Sequence, residues 1–142
     1  MTQCVKTLSR TLLFTLQHAD VVKFLTVEMH CDPTCRNVTN ATALHAAVEG
    51  GHLDIVQFLI SDQNCDPKIP GQYGETPLHY AAEFGHLHIV KYLTNELCCN
   101  PSCLDDTKLT PLHYAAMEGH LDIVKFLTVV AVPPTILYCS NV

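Results

Sequence analysis

The chain has 142 residues, 48% of them hydrophobic, which is enough for one domain with a continuous core. Its formal charge of −6 comes from 14 acids against 8 Lys and Arg that form no basic block, so nucleic acid and anionic membrane are poor partners. The longest wholly apolar run, residues 129–134, is far short of the roughly 20 residues that cross a bilayer, so no membrane insertion is expected.

In chain order, residues 8–17 place an arginine ahead of a short apolar patch, but no small-residue cleavage site follows, and a secretion signal is not expected. The segment from His18, His-Ala-Asp-Val-Val-Lys-Phe-Leu-Thr-Val, returns at His120 as His-Leu-Asp-Ile-Val-Lys-Phe-Leu-Thr-Val, and related copies open at His52 and His86. These four histidines are spaced by 34 residues. Between them stands Thr-Pro-Leu-His-Tyr-Ala-Ala, at Thr76 and again at Thr110, with the weaker Thr-Ala-Leu-His-Ala-Ala at Thr42. A period of this length predicts a stack of small units, each unable to bury its apolar face alone.

Each unit reads as two short helices and a loop. Thr76 is a favourable N-cap and Pro77 suits the first helical position, where its missing donor costs nothing. Gly51, Gly85 and Gly119 are placed to end the first helix in the left-handed conformation, and Leu87, Ile89, Val90 and Leu93 form the apolar stripe of the second. The connecting segments, residues 31–41, 65–75 and 99–109, open on Cys-Asp-Pro or Cys-Asn-Pro and turn polar, which predicts protruding hairpin-like fingers such as that around Pro70, Gly71 and Gly74.

On these residues the chain resembles the ankyrin repeat family, whose hallmark is Thr-Pro-Leu-His-x-Ala-Ala followed by Gly-His-Leu-x-Ile-Val-x-x-Leu. The resemblance covers residues 19–129. It implies an all-α solenoid of stacked helix-turn-helix units with β-hairpin fingers, and a non-catalytic module that binds other proteins. The expected organisation is one domain over residues 1–132, with a degenerate first repeat at 1–41, a second at 42–75, a third at 76–109 and an incomplete fourth at 110–132, then a tail at 133–142. Three departures stand out. The period is 34, which inserts one residue near the end of the second helix at Asn64-Cys65 or Cys98-Cys99. Pro67 and Pro101 weaken strand character in the fingers. Lys108 occupies a position that needs the left-handed conformation, which Asn40 and Gly74 adopt more comfortably.

Nine histidines and eight cysteines raise the question of a metal or a redox site. Periodicity assigns His45, His79 and His113 to the hallmark tetrad and His18, His52, His86 and His120 to the inter-helix turn, where an imidazole can bond backbone groups of its own or the adjacent unit. His30 and His88 read as surface residues. Cys31, Cys65 and Cys99 read as buried thiols in a reducing, cytoplasmic setting. A rival reading is a thiol or metal sensor built on Cys31/Cys35 and Cys99/Cys103, each spaced Cys-x-Pro-x-Cys. Asn37 and Asn40 satisfy the glycosylation rule, incidentally for an intracellular chain. No phosphate loop, nucleophile elbow or carboxylate pair occurs, so neither catalysis, cofactor nor metal is expected.

The small residues Ala47, Ala81, Ala82, Ala115 and Ala116 are expected to face the stack. The resemblance assigns the opposite side of each first helix to an inner groove, which offers Tyr80, Glu83 and Phe84, then Tyr114, Met117 and Glu118, with Tyr73 on a finger. Aromatic anchors beside acids suit a protein partner that is basic or amide-rich. Tyr80 and Tyr114 read equally as anchors or as rings packed on the next finger; Phe84 is the stronger candidate because its column holds Gly50 and Glu118. The function expected is that of a monomeric adaptor or scaffold, and the alternative is a regulatory piece of a larger ankyrin-repeat polypeptide.

Overall fold

The structure is a computed structural model and describes residues 18–131. The expectations for residues 8–17, for the start of the first repeat and for the tail at 133–142 lie outside the described residues. Among those described, every regular element is a helix. Helix α1 (Ala19–Lys23) runs on into a π-helical turn, Phe24–Glu28. Then come α2 (Ala43–Glu49), α3 (Leu53–Ser61), α4 (Pro77–Glu83) and α5 (Leu87–Lys91), the last continued by a second π turn, Tyr92–Glu96, before α6 (Pro111–Glu118) and α7 (Leu121–Ala131).

At seven or eight residues, α2, α4 and α6 are too short to persist alone in water, where about 12 to 15 residues are needed. Packing holds them: α2 lies on α4 and α4 on α6, while each also pairs with the helix that follows it. Ala47, Ala81, Ala82 and Ala115 are buried, and with no side chain beyond Cβ they let the helices approach closely. Ala116, expected in the same role, is exposed because no later helix among the described residues stacks upon it. The core runs through all the units, with Leu44, Val48, Val56, Leu59, Leu78, Ile89, Leu93, Ile123 and Leu127 at its centre. Each side chain of this size stabilises by about 1.5–3 kcal/mol on full burial.

The inserted residue of the 34-residue period finds its physical account in the π turns. Met29 N–H donates to Phe24 O at 3.1 Å and Leu97 N–H to Tyr92 O at 3.3 Å, each reaching back five residues where an α-helix reaches four. A widened last turn absorbs one residue without displacing the apolar stripe. His30, Asn64 and Cys98 then stand in the left-handed region, and the next residue in each unit bonds back to the helix, as Cys65 N–H does to Leu59 O at 2.9 Å.

The fingers depart from the β-hairpins that the resemblance implies. No strand forms among the described residues; each finger is closed by a backbone bond, from Asn37 N–H to Ala41 O, Gly71 N–H to Glu75 O and Asp105 N–H to Leu109 O, with a tight-turn bond inside the first and third, from Asn40 N–H to Asn37 O and from Lys108 N–H to Asp105 O. The prolines at 67 and 101 cannot donate to a ladder. Asn40, Gly74 and Lys108 all take positive φ, so Lys108 adopts the conformation despite its Cβ.

Candidate functional site

The hallmark threonine and histidine form a reciprocal cap at the start of each first helix. Thr76 N–H donates to His79 Nδ1 at 3.1 Å, which fixes the ring proton on Nε2, and that nitrogen reaches Leu109 O in the next finger at 3.1 Å. Burial therefore favours the neutral ring and lowers the His79 pKa, against the contrary pull of the Leu109 carbonyl. His45 is buried likewise, with its pKa lowered for the same first reason, although its Nε2 makes no hydrogen bond. The equivalent carbonyl, that of Glu75, acts on it too weakly to reverse the effect.

A second column ties one unit to the one before. His86 Nε2 reaches Glu49 O and His120 Nε2 reaches Glu83 O, both at 2.8 Å. The same rings lie over Gly51 and Gly85, where a Cβ would come within 2.6 and 2.7 Å of the imidazole. Glycine is thus required both for its positive φ and for the approach of the histidine. His88, expected to be an ordinary surface residue, also bonds across the units, to Gly51 O at 3.1 Å. It stands outside the 34-residue histidine columns, so periodicity could not reveal this role.

Three of the cysteines are held as thiols by their burial. Cys65 and Cys99 are buried, and desolvation pushes both thiols up to about 11. Cys103 is raised for the same reason. Cys31, Cys99 and Cys103 carry free thiols, so neither Cys-x-Pro-x-Cys segment is closed as a disulfide. Cys98 is disulfide-bonded. Among the described residues, no three His, Cys, Asp or Glu are grouped as a metal would need.

On the first helices, Tyr80 and Phe84 stack one turn apart at 6.4 Å between centroids with planes 26° apart. Phe84 is 41% exposed and Met117 61%, while Tyr73 on the second finger is 56% exposed. Glu83 is half-buried, and its carboxyl is raised first by desolvation and then by three like charges, Glu118, Glu75 and Glu49. Tyr114 stands apart, for its hydroxyl donates to Asp105 Oδ2 at 2.8 Å. Burial and that carboxylate raise the phenol. Burial would raise Asp105 too, but hydrogen bonds from Leu109, Tyr114 and Thr107 outweigh it and bring the carboxyl down to about 2. Tyr114 is thereby anchored in its own finger.

Two rows of helices joined by fingers, with caps and cross-unit histidines recurring at 34 residues, define a helical repeat solenoid. The family described as ankyrin repeats in three copies matches residues 12–102 and 63–132, and the chain belongs to the ankyrin repeat family. Ankyrin repeats are a non-catalytic scaffold family that generally mediates protein–protein interactions. No curated protein sequence matches the chain. None of its described helices is long and apolar enough to cross a membrane.

Proposed function

We propose that the chain is an adaptor that holds a protein segment in a groove along α2, α4 and α6, bordered by the fingers. Exposed Phe84 carries this reading: its column holds Gly50 and Glu118 elsewhere, so packing does not require an aromatic there, yet the ring stands exposed and stacked beside Tyr80. Met117 and Tyr73 extend the apolar area, and Glu83 and Glu118 supply its charge. Rings that are already stacked lose little freedom when a partner covers them, which is what an anchor requires. Tyr114 serves the groove as a wall through its bond to Asp105.

The test is capture of proteins from a cell lysate by the native chain and by a variant carrying Tyr73→Ser, Phe84→Ala and Met117→Ala. All three side chains are exposed, so the variant is expected to keep its unfolding midpoint and to lose most bound species. An unchanged set of captured proteins would refute the groove.

A further inference from the structure

The second finger lacks a group that the third possesses. Column by column, Asp105 corresponds to Gly71 and Tyr114 to Tyr80. Asp105 accepts the Tyr114 hydroxyl, whereas the Tyr80 hydroxyl makes no hydrogen bond and a Cβ on Gly71 would lie 3.3 Å from it. The nearest carboxylate there is Glu75, of which one oxygen, Oε2, accepts Tyr73 N–H at 2.9 Å. Glu118, Glu75 and Glu49 each lie close enough to Glu83 to add to the effect of its burial and disfavour its charge.

The four acids, Glu49, Glu75, Glu83 and Glu118, have no ion-pair partner among the described residues. Lys23 and Lys91 lie over the rings of Phe58 and Phe126, on the second helices, and Arg36 is bonded to the carbonyls of Asn40 and Pro70 in the fingers. The face thus combines stacked aromatic rings with acids that no ion pair among the described residues engages.

We infer that the groove takes a basic protein segment, an arginine of which lies between Glu49, Glu75 and Glu83 with its guanidinium along Tyr80 and Phe84. This rests on the groove reading above and names its partner's chemistry. Arginine suits the place better than lysine, because a planar guanidinium stacks on aromatic faces while its donors reach carboxylates in two directions. The Tyr80 hydroxyl, without the acid that engages Tyr114, is left to meet the segment's backbone. Bringing a cation among the acids relieves the repulsion that they exert on one another.

The test titrates the full isotope-labelled chain with three nine-residue peptides that carry, at alternate positions between alanines, arginine, its uncharged isostere citrulline, or aspartate. The arginine peptide is expected to shift the amide resonances of residues 75–84, to bind more weakly as salt rises, and to bind about fivefold more weakly to Glu83→Gln and more weakly still to Glu49→Gln/Glu83→Gln. Both variants alter accessible carboxylates, and an unchanged unfolding midpoint will show that they fold. Equal binding of the citrulline peptide to the same amides would overturn the basic chemistry while leaving the groove intact. Shifts confined to α5 and α7 would overturn the groove itself as the arginine site, and silence from all three peptides at millimolar concentration would overturn the inference of a basic partner.

Discussion

The heptapeptide Thr-Pro-Leu-His-Tyr-Ala-Ala occurs at residues 76–82 and 110–116, and its two copies live in different surroundings. In the first, His79 and Ala82 are fully buried and the His79 Nε2 is bonded to the next finger. In the second, His113 and Ala116 are exposed, and His113 keeps only the cap on its own threonine. The tyrosines invert that order: Tyr114 is bonded to Asp105 and Tyr80 to no acid. Identical sequence therefore yields an interior joint in one place and an outward-facing surface in the other. What differs is the neighbour, a following unit in one case and an aspartate in place of a glycine in the other.

The sharpest way to break this comparison is at the histidines. His79→Ala removes a cap, a cross-unit bond and buried volume, and is expected to cost about 3–4 kcal/mol in chemical denaturation. His113→Ala loses the cap alone and should cost about 1 kcal/mol. Equal losses would show that the two copies are energetically alike.

The alanines come next. Ala82→Met forces a long side chain between α4 and its neighbours and is expected to destabilise by about 1–3 kcal/mol, while Ala116→Met should stay within about 0.5 kcal/mol of the native chain. A comparable loss at position 116 would mean that this face is covered in solution. For the tyrosines, Tyr114→Phe should cost about 1–2 kcal/mol by leaving Asp105 short of a donor, and Tyr80→Phe close to nothing. Denaturation of the two variants side by side reads the difference.

Acid separates the same groups more gently. His45 and His79 have folded pKa values below the unfolded value of 6.5, so the stability they confer as neutral rings is full above pH 6.5 and declines as pH falls through their lowered values. Asp105 behaves likewise at lower pH, its contribution being full above 3.8 and lost as pH falls towards 2. Denaturation midpoints recorded from pH 7.5 to 5 should therefore decline in the native chain and less steeply in His79→Gln. An unchanged slope would show that His79 is not among the groups taking up protons.

Much of the fold is legible in the sequence because its signals are local. Threonine before proline starts a helix, glycine after eight residues ends it, and leucine, isoleucine and valine at helical spacing choose the buried face; α4 and α5 follow from these alone. The 34-residue spacing locates the extra residue but not its remedy, since a π turn arises only from the competition between keeping the stripe buried and fitting one more peptide unit. The bond from His88 to Gly51 lies across units, where no local pattern reports it. The fingers show the same limit, for the prolines weaken the strands but only the assembled loops show that a closing bond remains.

By itself, then, the sequence determined the repeating unit, its caps and turns, and the family, because each depends on residues within one or two helical turns. The tertiary structure decided which copies of a repeated residue are buried, which tyrosine is held by an acid and which acids crowd around Glu83 without an ion pair among the described residues. Burial is set by neighbours about 34 residues away and the Tyr114 bond by an aspartate in its own finger, so a side chain's solvation and charge belong to the place it is packed into rather than to the motif that carries it.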